Sequence, residues 1–186
     1  YWTMYHVGMG NTKGIYFDTD GANTNDWWDN TTPTEDLFYV KQASLYLHNG
    51  VDSYISYLWC DVPGLQKFGT YEGIGGTANG EFVELGFRPA IVWVKSIDNG
   101  DGNSHWCVFD NRRPGYNKSP AQNRLHLDES VVEDPDRIND GQGIDILSNG
   151  FRVRSNNWYE TNANGETYLY CAWAEAPAVN LYGGQS

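Results

Sequence analysis

The sequence predicts an all-β protein: antiparallel β-sandwiches of the jelly-roll or lectin-like kind, arranged as tandem units. Three observations carry this reading. Short apolar runs are interrupted by Gly, Asn, Asp, Thr and Ser at intervals of about 8–12 residues, the spacing of strands and turns in all-β domains. Aromatic residues make up 15% of the chain and concentrate in those runs, where large flat side chains suit a pleated surface. The chain also nearly repeats itself. Asp52-Ser-Tyr-Ile-Ser-Tyr-Leu-Trp-Cys-Asp-Val-Pro63 aligns without a gap on Glu166-Thr-Tyr-Leu-Tyr-Cys-Ala-Trp-Ala-Glu-Ala-Pro177, with Trp59 on Trp173 and Asp61 on Glu175. Trp2–His6 aligns on Trp106–Asp110, and Leu37–Val40 on Gly150–Val153.

Taken in order, the expected strands are Trp2–His6, Gly14–Phe17, Leu37–Val40, Ser53–Cys60, Lys67–Tyr71, Phe82–Leu85, Ala90–Lys95, Trp106–Phe109, Asn123–Leu127, Ile144–Ile146, Gly150–Arg154 and Thr167–Trp173. Asn49-Gly50, Asn99-Gly100, Asn149-Gly150 and Asn164-Gly165 are tight-turn dipeptides between them. Residues 25–36 and 130–143 are the longest polar loops. The repeat divides the chain into residues 1–66, a first unit; residues 67–80, a Gly-rich linker; and residues 81–186, a second unit. If the repeat is one of fold, Trp59 and Trp173, and Phe38 and Phe151, occupy matching core positions, since a slip of one residue would turn each side chain to the other face. Unit two opens on Glu81–Pro89 and the apolar run Ala90–Lys95, which have no counterpart before Tyr1. The sequence is therefore expected to be the C-terminal part of a longer polypeptide.

Net charge is −12, from 24 acidic against 12 basic residues. Nucleic-acid binding, which needs clustered Lys and Arg, is not expected. No apolar run is long enough to form a membrane-spanning helix, so no membrane insertion is expected. Cys60, Cys107 and Cys171 form no CxxC pair and do not align with one another across the repeat, which points to reduced, buried thiols.

An ordered set of motifs resembles a family of marine-phage proteins. In the first half these are Trp2–His6, Gly10–Lys13, Trp28–Thr34, Tyr54–Tyr57 with Trp59-Cys60, and Lys67–Gly73. In the second they are Gly86–Ala90, Val94-Lys95, Phe109-Asp110 with Arg113, Leu147–Phe151, Glu166–Tyr170, Ala174-Glu175 with Pro177, and the closing Asn180–Ser186. Sequences of this kind recur in virion structural proteins, often called tail-fibre-like, of cyanobacterial and other marine tailed phages. Trp59 and Trp173 depart from the pattern, being bulkier than the Phe expected there. The resemblance implies a virion protein of a fibre, appendage or capsid decoration, assembled in the host cytoplasm, contacting other virion subunits and contributing to host attachment. It also implies a homo-oligomer, a trimer in the case of a fibre.

The residues leave three functional classes open: a non-enzymatic structural protein, a carbohydrate-binding module and a polysaccharide-degrading enzyme. No Gly-x-Ser-x-Gly elbow occurs, and His6, His48, His105 and His126 show no metal-ligand spacing along the sequence. Asp18, Asp20, Glu35, Asp36, Asp61, Asp128 and Glu175 are available as glycosidase carboxylates, although Asp61 and Glu175 recur at matched positions, as structural acceptors do. Asp98, Asp101 and Asn103 place oxygen-bearing side chains where a hard cation such as calcium could sit; the plainer reading is a hairpin loop. Trp27 and Trp28, and Trp158 and Tyr159, lie among amides and carboxylates. Exposed, such rings would stack on a host glycan; buried, they would plug a core or an interface.

Overall fold

The computed structural model describes residues 2–17, 22–24, 27–41, 47, 50–76, 80–98, 104–118, 122–131, 133 and 143–177. Its regular elements are strands β1 (Thr3–Met4), β2 (Lys13–Tyr16), β3 (Ala22–Thr24), β4 (Gln66–Glu72), β5 (Phe82–Glu84), β6 (Pro89–Ser96), β7 (Cys107–Asp110), β8 (Leu125–His126), β9 (Ile144–Leu147), β10 (Gly150–Val153) and β11 (Thr167–Ala174), with one 3-10 turn at Val7–Met9. All pairings are antiparallel, in three sheets ordered β1-β2-β3, β5-β10-β9 and β4-β11-β6-β7-β8. The all-β reading is met.

β11 organises the largest sheet. It pairs with β4 from Thr167↔Glu72 to Trp173↔Gln66, and with β6 from Tyr168↔Ser96 to Trp173↔Ile91. Side chains alternate across a strand, so each central strand feeds two cores. Tyr168, Tyr170 and Ala172 join Val92, Val94, Cys107 and Phe109 on one face, against Val83, Phe151, Val153, Ile144 and Ile146 of the β5-β10-β9 sheet. Leu169 and Trp106 point the other way, into a second core that includes Met9 and Ile15, with Trp93, Met4 and Phe17 packed against it. β11 is therefore buried on both faces, unlike a strand with one solvated side.

The N-terminal segment thus covers the outer face of the large sheet. Phe17 meets the rings of Trp93 and Trp106 at 5.4 and 5.6 Å, and the Trp106 indole N–H donates to the Tyr16 carbonyl. His6 pins the same layer: its Nδ1 accepts the Gly8 N–H at 3.0 Å, and its Nε2 lies 3.2 Å from the Tyr170 carbonyl of β11.

Two expected strands are absent. Leu37–Val40 and Ser53–Cys60 form no strand, and among the described residues no ladder includes them. Phe151 is fully buried on β10 while its sequence counterpart Phe38 is 43% exposed; Trp173 lies half-buried on β11 while Trp59 is 54% exposed. Among the described residues the sequence repeat is not matched by a repeat of structure. The physical difference is pairing: β11 lies between β4 and β6, whereas among the described residues 53–60 has no such flanking strands. The segment expected as a linker starts inside β4, whose seven-residue ladder with β11 makes it part of the main sheet. Residues 134–142, most of the expected loop excursion, lie outside the described residues.

Candidate functional site

The densest group of chemically capable side chains lies where β7 and β8 leave the large sheet. Cys107 pairs with His126 and Val108 with Leu125. The Leu127 N–H donates to the Trp106 carbonyl, which carries the register one step on and sets His105 across from Asp128. Side chains two apart share a face, so His105, Cys107, His126 and Asp128 gather at one place although about twenty residues separate the two strands.

Two polar shells result. The inner one is built on Glu160, whose side chain is 1% exposed. Its Oε2 accepts from the Arg124 guanidinium at 2.5 Å and from the Trp158 indole N–H at 3.0 Å, and the Cys107 thiol lies 3.7 Å away. Arg124 Nε also donates to His126 Nε2 at 3.1 Å. A buried carboxylate is stable only when paired and hydrogen-bonded, and Glu160 meets that condition. Burial, then the charge of Glu160, pushes the Cys107 thiol well above its ordinary range; Arg124 offsets this only in part. Cys107 is therefore an inert thiol rather than a nucleophile.

The outer shell reaches solvent mainly through Glu129, whose side chain is 30% exposed, while both imidazoles and Asp128 are largely buried. Glu129 bridges the two histidines, with Oε1 3.1 Å from His105 Nε2 and Oε2 3.0 Å from His126 Nδ1. Asp128 holds the far side of His105, with Oδ2 3.3 Å from Nδ1, while its Oδ1 accepts the Trp106 N–H. The imidazole planes are 17° apart and their centroids are 5.1 Å apart. Isolated histidines along the sequence give no hint of this. The legible signal is the pair of alternating patterns His105-x-Cys107 and His126-x-Asp128, which converge only once the β7–β8 register is known.

The expected site residues fare differently. Trp27 and Trp28 are buried and offer no face to a glycan. Trp27 lies so close over Gly14 that a Cβ there would sit 2.4 Å from the indole, and it packs against Tyr16. Trp28 donates its indole N–H to the Lys13 carbonyl and meets Tyr5 edge-on. Of the two placements the sequence left open, the structure shows the buried one: both rings plug the N-terminal layer. Trp158 and Tyr159 are half-buried and stacked at an angle of 30°, with centroids 4.4 Å apart, and adjoin the cluster through Glu160. Asp98 accepts the Thr167 N–H at 2.7 Å, the role of a loop brace; Asp101 and Asn103 lie outside the described residues. Asp61 accepts the Phe68 N–H, and Glu175 pairs with Arg88, so both recurring acids serve as structural acceptors. All three cysteines are free; Cys107 and Cys171 are buried, but Cys60 is exposed, against expectation.

Two further findings concern relationship. No curated protein and no solved structure matches the chain. The sequence model of one family, described as a domain of unknown function and designated DUF7483, matches residues 1–177, nearly the whole length, and the chain belongs to that family.

Proposed function

We propose that this chain is a non-enzymatic structural module of a tailed-phage particle, a β-sandwich that assembles with copies of itself through an exposed aromatic surface. The observation that supports it is the segment around residues 51–59. Ile55, Tyr57, Leu58 and Trp59 are each more than half exposed, and so is Trp2, which approaches Tyr57. Tyr57 and Trp59, two residues apart, lie side by side at 6.2 Å. Scattered exposed apolar residues are ordinary, but a run of them on one extended segment is the mark of an interaction surface. The resemblance to marine-phage virion proteins supports the particle assignment, and the symmetry common in such assemblies supports a homo-oligomer, with a trimer first. Light scattering tests the reading. The chain is expected to be oligomeric at micromolar concentration and the Leu58→Ser/Trp59→Ser variant monomeric, with an unchanged circular dichroism spectrum because neither side chain is in the core. A monomeric wild-type chain overturns it.

Host-glycan binding is the second reading, and the stacked Trp158–Tyr159 pair beside a polar cluster favours it. Glycan arrays compared between wild type and Tyr159→Ala decide it: loss of a positive signal supports the role, and no signal in wild type removes it.

A further inference from the structure

We infer that His105, His126 and Glu129 form a binding site for a single transition-metal dication of the zinc class. Neutral imidazole nitrogens with one carboxylate are a donor set such ions take, usually with water completing the shell.

The distances suit the chemistry. Zinc sits about 2.0–2.2 Å from nitrogen and carboxylate oxygen. Two donors at that distance and 3.0–3.1 Å from each other subtend roughly 90–100° at the ion; Glu129 offers Oε1 at that separation to His105 and Oε2 to His126, so it would ligate with both oxygens. Two imidazoles sharing one ion at a near-tetrahedral angle have centroids about 5 Å apart, and here the separation is 5.1 Å. The three donor atoms lie within 4.8 Å of one another.

The surrounding groups suit it too. Ligating histidines commonly hold a carboxylate on their other nitrogen, which fixes the ring and its tautomer. His105 Nδ1 faces Asp128, whose second oxygen is anchored by the Trp106 N–H, leaving Nε2 aimed at Glu129. On His126, Nε2 lies 3.6 Å from Glu160 Oε1. Metal on Nδ1 moves the ring proton to Nε2, so the Arg124 Nε–H must release that nitrogen and Glu160 Oε1 must close in to accept the proton, while the other Arg124 nitrogen keeps its hold on Oε2. The neighbouring set Cys107, His126 and Glu160 also has ligand spacing, but the Arg124 guanidinium is already the cation there. Two shells thus divide the work: arginine neutralises the buried carboxylate, and the outer set meets solvent through Glu129, the side from which an ion would enter.

The experiment uses the full chain, stripped with chelator and titrated with zinc by calorimetry and by thermal melt. One zinc per chain is expected, with a raised melting temperature because the ion binds only the folded state. His105→Gln, His126→Gln and Glu129→Gln should each weaken binding by about tenfold or more. Cys60→Ser should not, which excludes the exposed thiol. Circular dichroism shows whether each variant is folded, and the zinc-induced shift of the wild-type melt is a readout that needs no variant. Cobalt bound in place of zinc should give visible ligand-field bands without a thiolate charge-transfer band. The inference fails if wild type takes up no zinc, if binding survives both histidine substitutions, or if a thiolate band places the ion on Cys107.

Discussion

Glu160→Gln is the substitution whose effect the structure fixes best. The change keeps the shape of the side chain and removes only its charge. Arg124, with a side chain only 9% exposed, would then sit against a neutral amide in place of its paired carboxylate. Breaking a buried pair by removing one partner costs about 3–5 kcal/mol, because the remaining charge stays desolvated. For a chain of this size each kcal/mol lowers the melting temperature by about 2–4 °C, so the expected fall is roughly 6–20 °C. Urea and thermal denaturation followed by circular dichroism measure it. The double variant Arg124→Met/Glu160→Leu separates charge from packing: it removes both ions and should recover most of the loss. A single-variant cost under about 1 kcal/mol, the range of a solvated surface pair, would refute the view that this shell is buried and mutually dependent.

Two other outcomes are expected. Burial holds the His6 imidazole below its ordinary range, although the Tyr170 carbonyl and the charge of Asp61 draw it partly back. The unfolded chain therefore takes up this proton first, so the contribution of neutral His6 is complete above the ordinary histidine range and is lost as pH falls through the lower folded value. Urea melts between about pH 5 and 8 should show wild type losing more stability at the acid end than His6→Asn; parallel profiles would contradict this. The thiols should also divide. Cys60 is exposed, whereas burial raises Cys107 and takes Cys171 to about 12. A thiol reagent should label one cysteine quickly in the native chain and the other two only on unfolding; rapid labelling of all three would contradict the placement of Cys107 and Cys171.

Period-two alternation made most strands legible, including β11, because each had both the pattern and a neighbour to pair with. Ser53–Cys60 carries nearly the same pattern as β11 and forms no strand. Alternation states which face a strand would bury, not whether partners stand on either side of it. The β4 strand was readable as a strand, yet its place in the main sheet was not, since Lys67–Gly73 leads into a Gly-rich stretch that reads as a joint. Trp27 and Trp28 were left open between a glycan face and a core plug for a related reason: the polarity of adjacent residues says little about exposure when a nearby glycine makes room for a ring. The histidine cluster was hidden because β-register, not sequence spacing, brings His105 to His126. Asp61 and Glu175, by contrast, were recognisable as structural acceptors from their recurrence alone.

The position of β11 has a consequence for synthesis. β11, an interior strand of the main sheet, is the last described strand, and its partners β4 and β6 lie about 70 to 100 residues earlier. While a ribosome is still making the chain, β4 and β6 have no strand to lie between them, and Phe17, Trp93 and Trp106 have no Leu169 beside them in the outer core. Closing such long loops is slow, and incomplete sheets leave open edges that recruit other chains. Synthesis of β11 therefore completes both cores at once. A product cut short before Thr167 should enter the insoluble fraction rather than persist as a partly folded monomer.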